Sequence, residues 1–469
     1  MNDFSLLIDG QLVAGDHTIP VLNPATGKVA ASAPAASVQQ LERAITAANR
    51  AFAGWRDTPF AERRAIVLKI IDIIAANQGE LSRLLTLEQG KPLAAAAGEV
   101  SATIDYFRYF TTLSLAPEVR QDNETRYVEV RRDPLGVVAA IIPWNFPLLL
   151  AAFKLPAALL AGNTVVLKPA PTTPLATLHL GRLIAGAVPA GVVNIVSGGD
   201  ELGPVLTSHP GIRKVSFTGS TETGKKVMAS AATHLARVTL ELGGNDPAIL
   251  LDKVDLEHTA TAIFASAFGN SGQVCRAIKR VYVPRPIYEP FCAALAERAR
   301  AAVVGDGLTD GVQFGPVQNA AQFERLKELH ADAQQRGTVM PGGGPVKGPG
   351  YFFRPTIVKD IASDSRLVVE EQFGPILPVI AYDELEEAVE MANNSQYGLA
   401  ASVWSTDSQA AFAVADRIVA GTVWINKHTD RMPDLPIAGA RQSGMGVELG
   451  EEGLHEFTQI KIVNLSKAA

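Results

Sequence analysis

The run Val137-Val138-Ala139-Ala140-Ile141-Ile142-Pro143-Trp144-Asn145-Phe146-Pro147, with Thr164-Val165-Val166-Leu167-Lys168 shortly after it, decides the fold. Its first six residues are uniformly apolar and four of them β-branched, as in a strand covered on both faces. Two prolines bracket a turn, and Pro147–Leu160 reads as a helix before the second apolar run. Strand, helix and strand at this spacing make a βαβ unit, and such units build parallel sheets. Gly136–Gly162 is also the most apolar stretch and raises a membrane-spanning reading. Pro143, Pro147 and Pro156 would break a spanning helix, and Lys154 would be costly at mid-bilayer, so a buried strand–turn–helix is preferred.

Working outward, runs at Val192–Val196 and Lys214–Phe217 alternate with helical stretches at Leu175–Ala187 and Thr221–Ala232. The expectation is an α/β protein with a doubly wound parallel sheet, whose ligands lie at the carboxyl ends of the strands. Asn245-Asp246-Pro247 reads as a junction. A second α/β series follows, with strands at Val281–Val283, Ile376–Ile380, Ala400–Trp404 and Thr422–Ile425. Its helices are expected at Tyr288–Val303, Asp383–Asn394 and Ser408–Val419.

Upstream, Val38–Trp55 and Phe60–Glu88 carry apolar residues at three- and four-residue steps, which predicts a mostly helical N-terminal quarter. Glu124–Arg132 and Phe457–Leu465 alternate like edge strands outside both cores. They are either a solvated hairpin or a sheet continued across a subunit interface. The glycine-rich Pro341–Pro345 reads as a loop, and no internal repeat is visible.

The chain has 469 residues, 47% hydrophobic and 19% charged, enough for more than one core. Its 42 basic and 48 acidic residues leave a net charge of −6, which argues against a nucleic-acid partner. Two cysteines exclude a disulfide framework and a four-cysteine zinc site, and suit a reducing, cytoplasmic compartment. Met1-Asn2-Asp3-Phe4 lacks the basic start and apolar core of a signal peptide. No metal site is read.

Five local features bear on chemistry. Asn270-Ser271-Gly272-Gln273-Val274-Cys275 ends a small-residue loop in a thiol, either a nucleophile or an inert buried cysteine. Cys292 sits in the apolar register of a helix and reads as core. Leu240-Glu241-Leu242-Gly243-Gly244 places a carboxylate at a strand end, as a general base or as a group satisfied by backbone amides. Asn145 presents an amide to a developing oxyanion, or caps the following helix. Phe217-Thr218-Gly219-Ser220-Thr221-Glu222-Thr223-Gly224-Lys225-Lys226 matches most of a P-loop, but Lys226 stands where Mg²⁺ needs a hydroxyl. What remains is a helix N-terminus suited to phosphate, or simply capped. Lys168 lies at a strand's carboxyl end, where a ribose or phosphate would sit.

Together these motifs closely resemble the aldehyde dehydrogenase superfamily. PWNFP, VVLKP, FTGSTETGK, LELGG, SGQVC, EEQFGPIL and RQSGMGVELG occur in the family's order along essentially the whole chain, and Glu241 and Cys275 are 34 residues apart as the family pattern expects. The resemblance implies Cys275 as nucleophile, Glu241 as base, Asn145 with the Cys275 N–H as oxyanion hole, and Lys154 in proton relay. It implies a cofactor site of Trp144, Lys168, Gly219, Ser220, Leu242, Glu371 and Phe373, and an NAD(P)-dependent, non-acylating oxidation of an aldehyde. Pro171 departs from the glutamate common in NAD-preferring members; NAD is expected, with NADP as the alternative. Phe146, Leu150, Phe153, Val274, Arg276 and Ile437 are the expected tunnel walls, Ile437 in place of a usual aromatic. Arg276 is a second departure, read either as favouring a carboxylate-bearing or polar aldehyde or as structural. The rivals are a CoA-acylating dehydrogenase and an inactive cofactor-binding homologue. The expected parts are a cofactor domain (1–115 and 136–243), a catalytic domain (244–445) and a bridging β element (116–135 and 446–469), in a homodimer or homotetramer.

Overall fold

In the computed structural model, which describes residues 4–467, the strand Val137–Ile141 lies in the middle of an eight-stranded sheet. Met1–Asp3, part of the stretch read for a leader, lie outside the described residues. Thr164–Lys168 pairs with Val137–Ile141 in parallel on one side and Ile212–Thr218 on the other. Val193–Ile195 extends the first side and Arg237–Glu241 the second. The chain therefore starts in the centre, winds outward, returns and winds the other way. The reversal falls between Val137–Ile141 and Ile212–Thr218, and the crevice at their carboxyl ends is where doubly wound sheets bind ligands.

A second sheet of seven strands begins at Asp246–Leu250, five residues after Glu241. The junction expected at Asn245-Asp246-Pro247 runs straight into this strand, in which a proline is unusual. A register shift between Asp246 and Pro247 accommodates it. Its parallel neighbours are Ile278–Pro284 and Ala400–Trp404. Separate apolar clusters cover the two faces of this sheet, while one large cluster surrounds the first.

Three further readings are corrected. The N-terminal quarter is not mostly helical at its start: Leu6–Ile8, Gln11–Val13, His17–Asn23 and Lys28–Ala35 are strands. The last is rich in alanine, which hides a strand pattern. Phe60–Glu88 is two helices, Phe60–Ala76 and Gln78–Gln89, interrupted at Asn77, whose amide donates to the Ile73 carbonyl at 2.8 Å. Pro147–Leu160 likewise divides into Pro147–Ala152 and Leu155–Ala161. Pro156 has no N–H for the Ala152 carbonyl, so the helix restarts at Leu155, with Lys154 at its N-cap.

The two edge strands pair with each other. Thr458–Ser466 runs antiparallel to Arg126–Pro134, and Glu118–Asp122 adds a third strand that had not been anticipated. Among the described residues no helix is long and apolar enough to cross a membrane.

Candidate active site

Helix Leu256–Phe268 ends where Asn270, Ser271 and Gly272 turn through left-handed backbone, at φ of 50°, 55° and 72°. Two non-glycine residues in that region cost about 1–3 kcal/mol each, strain typical of functional loops. Gly272 is required by contact as well: a Cβ there would lie 2.4 Å from the Gly374 carbonyl. The loop delivers Cys275, partly exposed, to the space between the two sheets. Burial pushes its thiol up, opposed first by the charges of Arg276 and then Lys279. Lys279 also donates to the Val274 and Cys275 carbonyls at 2.9 and 2.6 Å. Cys292 is core, as read, its thiol pushed up to about 12 by burial.

Asn145 follows the central strand and is buried. Its amide nitrogen donates to the Gln273 carbonyl at 3.0 Å, two residues before Cys275. An amide carries two hydrogens, so one remains for a second acceptor. It does not cap the next helix, where Phe146 holds the N-cap position. Its own carbonyl accepts from Lys91 at 2.9 Å and from Asn270 at 3.1 Å.

Glu241 is the last residue of its strand and is buried, with one carboxyl oxygen lacking a hydrogen-bond partner. Burial holds it well above the usual carboxylate range, reinforced by Glu448 and opposed by Lys154 and Arg276. Lys154 is fully buried against Glu448 and donates to the Thr218 hydroxyl at 2.7 Å.

Two cavities meet at Cys275. The larger, about 570 Å³, is lined by all six expected wall residues, Phe146, Leu150, Phe153, Val274, Arg276 and Ile437, and by Glu241 and Glu448. The smaller, about 180 Å³, opens at the crevice of the first sheet and is lined by Trp144, Gly219, Ser220, Leu242, Glu371 and Phe373. Cys275, Leu150 and Thr218 border both. A thiol between an apolar tunnel and a crevice at the switch point of a doubly wound sheet is the arrangement in which a carbonyl compound and a dinucleotide would meet at one sulfur.

Comparison with known proteins agrees. A model of the aldehyde dehydrogenase family matches residues 12–463. The chain belongs to the aldehyde dehydrogenase family. It is 39% identical to aldehyde dehydrogenase LUC3 of Fusarium sp over 99% of both chains. It is 38% identical to lactaldehyde dehydrogenase of Escherichia coli (strain K12) over 98% of both. The crystal structure of betaine aldehyde dehydrogenase from Staphylococcus aureus in complex with NAD⁺ superposes with a TM-score of 0.95 at 33% identity, covering 99% of this chain and 95% of that one.

The site of this aldehyde dehydrogenase fits a dinucleotide. Ser220 caps helix Thr221–Ala231 and leaves its N-terminus facing the crevice. Gly243 leaves room that a Cβ would fill, at 2.3 Å from a Glu371 carboxyl oxygen. Glu371 accepts from the Gly244 N–H at 3.1 Å and lies 3.4 Å from Lys279. Phe373 packs edge-on against Trp144 at 5.3 Å. Lys168 and Pro171 do not line the smaller cavity: Lys168 is buried at its strand end, 3.4 Å from the Gly198 carbonyl, and Pro171 lies in the turn that follows.

Sequence reasoning missed Lys91, Glu99, Thr218, Lys279, Gln322, Arg325 and Glu448 at these cavities and their loops. Gly90-Lys91-Pro92 reads as a helix stop, and Glu448, although inside RQSGMGVELG, shows its burial only in three dimensions.

Proposed function

We propose that this chain oxidises an aldehyde to its carboxylic acid with NAD as the electron acceptor, through covalent attachment to Cys275. The observation that carries the reading is the meeting of the two cavities at that sulfur. Its surroundings push the Cys275 thiol up, away from the thiolate, so an activator is required. Glu241, whose proton affinity burial raises, takes the thiol proton directly or through water. The thiolate adds to the carbonyl carbon, and the oxyanion is held by the second Asn145 N–H and the Cys275 backbone N–H. NAD, when bound, supplies the acceptor for the hydride that leaves this carbon. The product on Cys275 is a thioester. Glu241 then deprotonates a water that attacks it, and the acid departs with the thiolate as leaving group. Lys154 and Glu448, both buried, act on Glu241 by charge and offer a path for its proton.

Trp144, Gly219, Ser220, Leu242, Glu371 and Phe373 hold the nicotinamide half of the cofactor, and Lys168 and Pro171 the adenosine end. Pro171 removes both a ribose ligand and a charge that would repel a 2′-phosphate, so NADP is the second cofactor to assay. Residues 1–115 and 136–243, which carry seven strands of the eight-stranded sheet, form the cofactor domain. Residues 244–445 form the catalytic domain. Residues 116–135 and 446–469 form the bridge, whose three-stranded sheet presents exposed Ile460, Ile462 and Leu465 as a surface for a homodimer or homotetramer. The thiol chemistry suits a cytoplasmic setting.

The test is transient kinetics with NAD and NADP in parallel. Cys275→Ala abolishes reduced-cofactor formation while cofactor binding persists; turnover near wild type refutes the nucleophile. Glu241→Gln gives a burst of reduced cofactor about equal to enzyme and then slow turnover. A wild-type steady state that depends on added CoA, with a CoA ester as product, replaces hydrolysis by acyl transfer.

A further inference from the structure

The 570 Å³ cavity is large enough for more than a simple aliphatic aldehyde, and its charges do not cancel. Lys91 is paired with Glu99, and Lys154, just behind the wall, with Glu448. The Asp430 carboxylate is held by Lys427. Glu241 also lines the cavity and forms no salt bridge among the described residues, so a single carboxylate faces two guanidinium groups. That leaves the guanidinium groups of Arg276 and Arg431, both lining the cavity, with no ion pair or hydrogen bond among the described residues. Both charges reach the buried Tyr106 on the same wall.

Arg276 is also held in place. Its carbonyl is 3.1 Å from His428 Nε2, and its guanidinium lies 5.8 Å from the ring centre of Trp424. Trp424 in turn packs on His428 at 4.8 Å. A fixed, half-buried guanidinium with no carboxylate hydrogen-bonded to it is a ready-made receptor for one, because its fork of donors matches two carboxylate oxygens.

We propose that the substrate is an aldehyde that also carries a carboxylate, with that carboxylate received by Arg276 and drawn in past Arg431. The inference rests on Cys275 as the nucleophile. Since Arg276 directly follows Cys275, the aldehyde and the carboxylate are separated by a short chain, on the order of two to four carbons by backbone and side-chain reach. Arg431, at the exposed end of the cavity, steers the anion inward, and its contribution falls with salt.

The experiment compares ω-oxo acids of about four to six carbons with their methyl esters and with neutral alkanals of the same length, in wild type, Arg276→Ala, Arg276→Lys and Arg431→Ala. The expected result is a kcat/KM preference for the acid in wild type that falls about 10- to 100-fold in Arg276→Ala and less in Arg276→Lys. Arg431→Ala lowers the preference by a few-fold, and mostly at low salt. Neutral aldehydes oxidised as well as the acids in wild type, or an acid-to-neutral ratio unchanged by Arg276→Ala, overturns this inference and leaves aldehyde oxidation intact. An aldehyde bearing a phosphate that outperforms the carboxylate overturns the choice of anion. No reduction of NAD or NADP with any aldehyde overturns the underlying function instead.

Discussion

Lys91–Glu99 and Lys154–Glu448 are both buried lysine–glutamate pairs, one beside Asn145 and the other beside Glu241. In the first, every contact is closed. Lys91 donates to the Asn145 carbonyl at 2.9 Å, and one Glu99 oxygen accepts from the Leu148 and Leu149 amides at 3.0 and 3.3 Å. In the second, one Glu448 oxygen takes Lys154 and the Ser216 hydroxyl, and the other has no partner. A saturated pair acts as a brace: it sets the turn that aims the Asn145 amide. An unsaturated pair keeps a field, and that field acts on Glu241. The same two residue types thus serve position in one place and proton affinity in the other.

The largest effect expected is on stability. Lys91→Met strands the Glu99 carboxylate in the core, and Lys154→Met strands Glu448. Each should cost about 3–5 kcal/mol in urea unfolding. The double variant Lys91→Met/Glu99→Gln should recover part of that loss, because the uncompensated charge is gone; no recovery would mean that the pair is not the unit that matters.

Next in size is Asn145→Ala, which should lower kcat by roughly 10²–10³ through loss of one oxyanion donor. If Lys91 positions that amide, Lys91→Met should reproduce part of the fall in kcat with its pH dependence in place.

The pH profile separates the two pairs. Glu241 must lose its proton to act, so activity falls as pH drops through its raised value, and the acid limb lies above the ordinary carboxylate range. Glu448 raises Glu241 and Lys154 lowers it. Glu448→Gln therefore moves the acid limb to lower pH. A limb that stays put, or an equal movement in Lys91→Met, removes the distinction. The smallest effect is Thr218→Val, which takes one hydrogen bond from Lys154 and should cost about 0.5–1.5 kcal/mol.

Much of this site was legible before folding. Asn145 and Glu241 stand at strand ends, and their strands announce themselves as apolar runs broken by Pro143 or Gly243. The left-handed turn before Cys275 is written in Asn270-Ser271-Gly272. The N-terminal hairpin and Asp246–Leu250 were not legible, since alanine and proline obscure strand periodicity. All six expected tunnel residues do line one cavity, but that cavity's volume and its uncancelled charge emerge only when segments near 98, 150, 275 and 431 are brought together.

The sequence by itself determined the α/β class and the doubly wound order of the chemistry-bearing loops, and it singled out Cys275, Glu241 and Asn145 as the candidate thiol, base and amide. Those follow from local chemistry: apolar runs, turn residues and a family's motifs in order. The tertiary structure alone decided which charges act. Lys91 reaches Asn145 across 54 residues of chain, and Lys154 reaches Glu448 across 294. A lysine's burial depends on what packs around it, and its charge matters only through the partners that packing grants or withholds. No periodicity records either, so the brace beside Asn145, the field on Glu241 and the unpaired Arg276 became visible only in three dimensions.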